Sequence, residues 1–182
     1  MSAGLEKETE VTEDNWVFYI DGQTSFCAMN EYEEKLKAFM QANGISGDHL
    51  SFAQSCHSVE EAAKAANADR RDFVKNICMV DSQGNLLVAI VKGEDRASTS
   101  RIGKTLRIER PRIATPEEIL EKAGYPCGGV PSFGYKAIFL IDPKVMEKEI
   151  IYSSGGSESS LLRISPKDLQ KANNGRIMRI RK

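Results

Sequence analysis

The 182-residue chain holds only two histidines, His49 and His57, and four cysteines, Cys27, Cys56, Cys78 and Cys127, no two of which form a Cys-x-x-Cys pair. With so few histidines a histidine-based catalytic triad is hard to assemble, and cysteines this far apart indicate neither a zinc site nor a disulfide framework. The four are read as reduced thiols. No apolar run approaches the roughly 18 residues that a membrane span needs, and the glutamate-rich N-terminus lacks a signal-peptide pattern, so the expected location is cytoplasmic. There is no internal repeat. The length suits one domain with a real core, or one domain with an appendage.

Basic residues are scarce early in the chain and abundant later. Residues 1–69 carry 4 basic and 13 acidic side chains, residues 70–182 carry 21 and 13, and the net charge is −1. Arg96, Arg101, Lys104, Arg107, Arg110 and Arg112 form one cluster, and Arg176, Arg179, Arg181 and Lys182 form another. This asymmetry suits a positive face for a polyanion, with Arg101, Lys104 and Arg107 as candidate contacts; the alternative is an ordinary solvated surface.

Taken in order, residues 1–14 read as a disordered acidic tail and residues 15–29 as an extension with one strand, Trp16 to Ile20, closed by an Asp21-Gly22 turn. That strand either packs on the main domain or pairs with another chain. Asn30 with Glu33 resembles a capping box and opens an amphipathic helix that stops near Gly44. Ser58-Val59-Glu60-Glu61 opens a second, alanine-rich helix. Phe73 to Val80 and Leu86 to Val91 read as an antiparallel hairpin at the centre of the sheet, in which Lys75 must lie at an exposed strand end or face a cavity. Ser98 to Leu106 reads as a short helix, followed by a basic strand-like segment to Ile113. Thr115-Pro116-Glu117-Glu118 starts another helix that Gly124 stops. Ala137 to Ile141 and Glu149 to Tyr152 are expected strands, with a turn at Asp142-Pro143 between them. A flexible loop over Ser153 to Ser157, a strand over Leu161 to Ile164, a helix from Ser165 toward Asn174 and a basic tail or strand over 175–182 complete the reading. Without a regular βαβ alternation, the expected fold class is α+β, a mixed and largely antiparallel central sheet flanked by short helices.

Gly124 to Lys136 stands out, with four glycines and two prolines in thirteen residues. It must be a loop, and its bare backbone can approach a carbonyl or phosphate oxygen closely; the bland reading is a tight helix-to-strand connection. Cys127 within it is a weak nucleophile candidate because no histidine stands near it in sequence. His57, just before a helix start, reads as a surface or capping residue rather than a base.

In this order, the Ser58 to Ala63 helix, Val74-Lys75-Asn76, Ala114-Thr115-Pro116-Glu117-Glu118, the Gly124 to Lys136 loop, Ile141-Asp142, Tyr152 to Gly156 and Ser165 to Leu169 resemble the YbaK and prolyl-tRNA synthetase-associated domain family over residues 30–174. The resemblance implies a cytosolic aminoacyl-tRNA deacylase that edits misacylated tRNA, without metal or organic cofactor. Lys75, Gly128 and Gly129 match its strand lysine and its Gly-Gly loop. Lys75 is assigned to the phosphate or ribose of the terminal adenosine, and the amides near Gly128 and Gly129 to the scissile carbonyl. Asn76, Val130, Pro131, Ser132, Phe133, Ser154, Gly155 and Gly156 are assigned to substrate binding, and Arg101, Lys104 and Arg107 to the tRNA acceptor stem. The loop departs from the family pattern at Ser132, where proline is usual, which bears on amino-acid selectivity. The expected function is a freestanding deacylase acting on a small amino acid carried by tRNA-Pro or a similar tRNA. Any association with prolyl-tRNA synthetase is expected to be non-covalent, and the protein to be a monomer or homodimer. The alternative is a non-catalytic tRNA- or protein-binding module of the same fold.

Overall fold

The computed structural model describes residues 19–20 and 23–24 as backbone, and residues 31–56 and 58–182 in full. The acidic tail, Trp16 to Phe18, Cys27, the Asn30 cap and His57 lie outside the described residues. The chain divides into two units at residue 30. In the first, β1 (Tyr19–Ile20) pairs antiparallel with β2 (Gln23–Thr24), on either side of Asp21-Gly22.

The second unit is built as its apolar spacing and caps direct. Leu36 and Met40, four residues apart on α1 (Glu31–Ala42), turn one face into the core. β3 (Asp48–Ser51) follows; its sequence, with one apolar residue in four, carries no strand signal. α2 (Val59–Ala66) opens on a complete capping box between Ser58 and Glu61, and Asn67 closes it in the left-handed region. β4 (Val74–Val80) and β5 (Leu86–Lys92) form the expected hairpin. Ser98 caps α3 (Thr99–Leu106), and the basic segment beyond it contributes only β6 (Arg112–Ile113). α4 (Pro116–Ala123) starts on the expected Thr115–Glu118 capping box and stops at Gly124, with φ of +70°.

Beyond the glycine loop come β7 (Ile138–Ile141), α5 (Pro143–Met146), β8 (Ile151–Ser154), β9 (Ser160–Ile164), α6 (Pro166–Asn173) and β10 (Arg176–Ile177). Two expectations are corrected here. Asp142 does not open a plain turn: it accepts the Lys144 amide and caps one helical turn. The strand expected over 149–152 lies two residues later, because its pairing with β9 runs from Ile151 opposite Ile164 to Ser154 opposite Leu161, which takes Ser153 and Ser154 out of the flexible loop.

Two sheets result, one of order β10-β7-β5-β4-β6 and one of order β3-β9-β8. The first is mixed, antiparallel at β4–β5 and β4–β6 and parallel at β5–β7 and β7–β10; the second is antiparallel throughout. The fold is therefore α+β, with the strands divided between a mixed sheet and an antiparallel one, and antiparallel pairings outnumber parallel ones across the two. Side chains alternate across the five-stranded sheet. Val74, Cys78, Val80, Val88 and Ile90 face the main core with Leu36 and Leu169, whereas Met79, Leu87, Ala89 and Val91 face Ile102 of α3 and Ile180 near the C-terminus. Phe73 bridges to Tyr152 at the start of β4, where the two sheets meet.

Candidate active site

At that junction lies a cleft of about 720 Å³, lined among others by Lys75, Asn76, Gly128, Ser153 and Ser154. Its size is within the roughly 300–1,000 Å³ typical of small-ligand sites. Lys75 is the second residue of β4, half-buried, opposite Val91 in the pairing with β5, and part of the cleft lining. Lys75 thus stands at the start of the strand and on the cleft wall, so the two expected settings coincide. The other cations of the cleft are neutralised locally, Arg70 by Glu60 and Arg71 by Asp69. Lys75 has no carboxylate partner among the described residues.

Beneath the cleft three polar side chains close a ring. Ser132 Oγ donates to Asn76 Oδ1 at 2.8 Å, and Asn76 Nδ2 donates to Ser153 Oγ at 3.1 Å and to the Val130 carbonyl at 2.8 Å. The two serine oxygens are 2.7 Å apart, and because the Ser132 proton is already committed, Ser153 is the donor between them. Every donor hydrogen in the ring is used. Turning the Asn76 amide over would set its oxygen against the Val130 carbonyl, so the ring also fixes that orientation. It ties β4 to the glycine loop and to the end of β8. Asn173 Nδ2 adds a bond to the Ser132 carbonyl at 2.9 Å.

The two glycine loops meet at the rim. A Cβ on Gly129 would stand 2.7 Å from the Gly156 carbonyl oxygen, and one on Gly156 would stand 2.8 Å from the Tyr32 carbonyl oxygen. Glycine is required there for close approach of main chain to main chain. The second loop is anchored from below: buried Glu33 accepts from Ser51 and Ser157 at 2.6 Å each, and His49 Nε2 donates to the Gly155 carbonyl at 2.7 Å. Gly155 and Gly156 are thus buried supports rather than parts of an open flexible loop.

The assigned residues separate accordingly. Lys75, Asn76, Gly128 and Ser154 line the cleft. Val130, Ser132 and Phe133 are buried behind it, and Phe133 belongs to the core, 6.1 Å from Phe39 between ring centres. Pro131 is buried as well, its carbonyl accepting from Tyr135. The Gly129 amide donates to the Pro126 carbonyl at 3.0 Å, whereas the amide of Gly128, exposed and with φ of +95°, has no acceptor among the described residues. Arg101, Lys104 and Arg107 belong to α3 and its C-cap, outside the cleft. The sequence reading did not single out Ser153, or the Phe73–Tyr152 pair stacked at 4.9 Å on the cleft wall.

Cys127 is exposed on the loop, while Cys78 is buried and its thiol is pushed up to about 12 by that burial, with Cys127 nearby adding to the effect. Among the described residues no group of three or more His, Cys, Asp or Glu side chains could hold a metal ion, and no helix is long and apolar enough to cross a membrane.

The profile of the aminoacyl-tRNA editing domain matches residues 53–172, about two thirds of the chain, and takes in both glycine loops and Lys75. The chain belongs to the aminoacyl-tRNA editing domain family. This editing domain is 22% identical over 126 residues to the uncharacterized protein YwhH of Bacillus subtilis, covering 68% of the present chain and 80% of that protein. It is 25% identical over 113 residues to a proline–tRNA ligase of Oleidesulfovibrio alaskensis, covering 61% of this chain and 20% of the ligase. In fold it is similar to a crystal structure described as a candidate trans-editing enzyme for prolyl tRNA synthetase, with a TM-score of 0.77 at 23% identity over 83% of this chain and 97% of the other. A hypothetical protein of known structure is similar to the same degree, with a TM-score of 0.75 at 24% identity over 81% and 99% of the two chains.

Proposed function

We propose that this editing domain hydrolyses the ester of a misacylated tRNA, with a small amino acid on tRNA-Pro or a similar tRNA as its substrate. The observation that carries the reading is Lys75, a cation without a carboxylate partner among the described residues, on the wall of a cleft whose rim is the Gly128 backbone. Its ammonium suits the phosphate or ribose of the terminal adenosine, and the Gly128 amide suits the ester carbonyl oxygen, where negative charge develops during attack. Aminoacyl esters are activated, so positioning and oxyanion stabilisation are enough and no triad is needed. Water, aided by the substrate's own 2′-hydroxyl, adds to the carbonyl carbon; the carbon–oxygen bond to the ribose breaks, and the ribose oxygen leaves with a proton. The products are the free amino acid and tRNA. Prolyl-tRNA synthetase is the natural non-covalent partner of such an activity.

The experiment is the time course of amino-acid release from tRNAs charged with alanine, cysteine, serine and proline. Release of one or a few of these supports the reading and names the substrate. Retention of every ester while tRNA still binds contradicts it in favour of a binding module.

A further inference from the structure

We propose that the start of α3 and the C-terminal segment together form a composite surface for the phosphodiester backbone of the RNA whose 3′ end enters the cleft. This rests on the reading above and extends it to residues 178–182. Lys75 shares the sheet face of Met79, the face that α3 and Ile180 cover. β5 leaves the sheet at the Lys75 end, because Lys92 lies opposite Val74, and the next two residues, Gly93 and Glu94, line the cleft. Arg96 follows after Asp95, and α3 begins three residues later.

Four bonds gather basic residues there. The Lys182 amide donates to the Arg96 carbonyl at 2.9 Å and the Ser98 amide to the Ile180 carbonyl at 2.7 Å. Arg101 Nε donates to the Arg181 carbonyl at 3.1 Å, and Arg110 Nε to Thr99 Oγ1 at 2.7 Å. Fully buried Asp142 clasps the segment by pairing with the Arg181 guanidinium and accepting the Ile180 amide at 3.1 Å. Arg181 is thereby neutralised, but Arg96, Arg101, Arg110 and Lys182 have no carboxylate within ion-pair distance among the described residues. The acids nearest Arg96 in sequence, Glu94 and Asp95, are engaged by Lys92 and Lys144, and the one acid beside Arg110 is the exposed Glu109. Unpaired like charges held together by backbone bonds repel one another, and a phosphate backbone relieves that repulsion while releasing its counterions. Continuity with the cleft rim at Gly93 selects the RNA strand that ends in the cleft rather than an unrelated polyanion.

The test is retention of uncharged tRNA by the full chain as a function of salt. The double variant Arg96→Gln with Lys182→Gln is compared with a control, Lys37→Gln with Lys171→Gln, on α1 and α6, which pack on the opposite sheet face. The surface predicts that the first double variant lowers the slope of log affinity against log salt by about one to two, since each duplex phosphate contact contributes about 0.9, and that the control leaves it unchanged. Equal slopes in all three proteins, or equal losses in both variants, overturn it. A second readout is hydrolysis of an aminoacyl-adenosine that has no stem. Unchanged hydrolysis by the Arg96/Lys182 variant supports a phosphate contact, whereas an equal loss on this small ester places the defect in the cleft and overturns the surface. A protein that cleaves no ester yet keeps the variant-dependent slope upholds the surface and removes only the hydrolase.

Discussion

The Ser132 hydroxyl donates to the side-chain carbonyl of Asn76 across 56 positions of sequence, and with Ser153 the two close a hydrogen-bonded ring under the cleft. Ser132 is fully buried, so the residue at the position where the family usually has proline spends its polar group on Asn76 and Ser153, two residues of the cleft lining. Replacing Ser132 by alanine leaves the Asn76 carbonyl short of a donor, which is expected to cost about 1–3 kcal/mol. Because Ser132 and Ser153 share partners, Ser132→Ala and Ser153→Ala are expected to be non-additive by about 0.5 kcal/mol or more in a urea-denaturation cycle. Additive losses would show that the hydroxyls act separately.

Gly129→Ala tests the contact between the loops. Nothing in its backbone conformation forbids a side chain, but the new methyl would meet the Gly156 carbonyl oxygen at 2.7 Å and the Ser157 Cα at 2.9 Å. The main chains must part, at an expected cost of about 1–3 kcal/mol, and Gly128 moves with them. Both the denaturation midpoint and the deacylation rate should fall. Wild-type values for Gly129→Ala would mean that the loops do not need to touch.

The loop thiol is expected to be dispensable. Cys127→Ser should hydrolyse its aminoacyl-tRNA at the wild-type rate, since the neighbouring Cys78 is held protonated by burial and neither thiol is paired with a base among the described residues. A large fall in the single-turnover rate would point instead to a thioester route through Cys127.

Acid should loosen the C-terminal clasp. Burial pushes the Asp142 carboxyl up, but the amides of Lys144, Ile180 and Arg181 and the Arg181 charge outweigh it and hold the group below its ordinary value. A carboxyl lowered by folding contributes stability that is present above its unfolded value of about 4 and is lost as pH falls through the folded value. Asp142→Asn should therefore destabilise the protein at pH 7 by about 3 kcal/mol and flatten the part of the acid dependence below pH 4. A variant as acid-sensitive as the wild type would assign that sensitivity to other carboxylates.

Much of this organisation was legible from local chemistry. The Ser58 and Thr115 capping boxes, the β4–β5 hairpin and the Gly124 to Lys136 loop each carry their signal within a few residues. Lys75 stood out because a lysine interrupted an apolar strand. β3 escaped because Asp48, His49 and Ser51 have neither alternation nor strand preference; it is held by pairing with β9, more than a hundred residues away. α5 is a single turn, too short for periodicity to register. The ring could not be read because three polar residues from β4, the loop and β8 meet only in the fold, and Glu33 offered a capping role in sequence while its carboxylate serves two distant serines. The basic cluster was visible as charge, but its join to residues 180–182 depends on backbone bonds that leave no mark in composition.

The most direct test of the central claim is single-turnover release of the amino acid from its charged tRNA by the wild type and by Lys75→Ala, with tRNA retention measured alongside. Lys75 as the substrate-holding cation of the cleft predicts that release falls by at least tenfold while the basic surface on α3 still retains tRNA. Release at the wild-type rate by Lys75→Ala would contradict the account and move the chemistry away from this cleft.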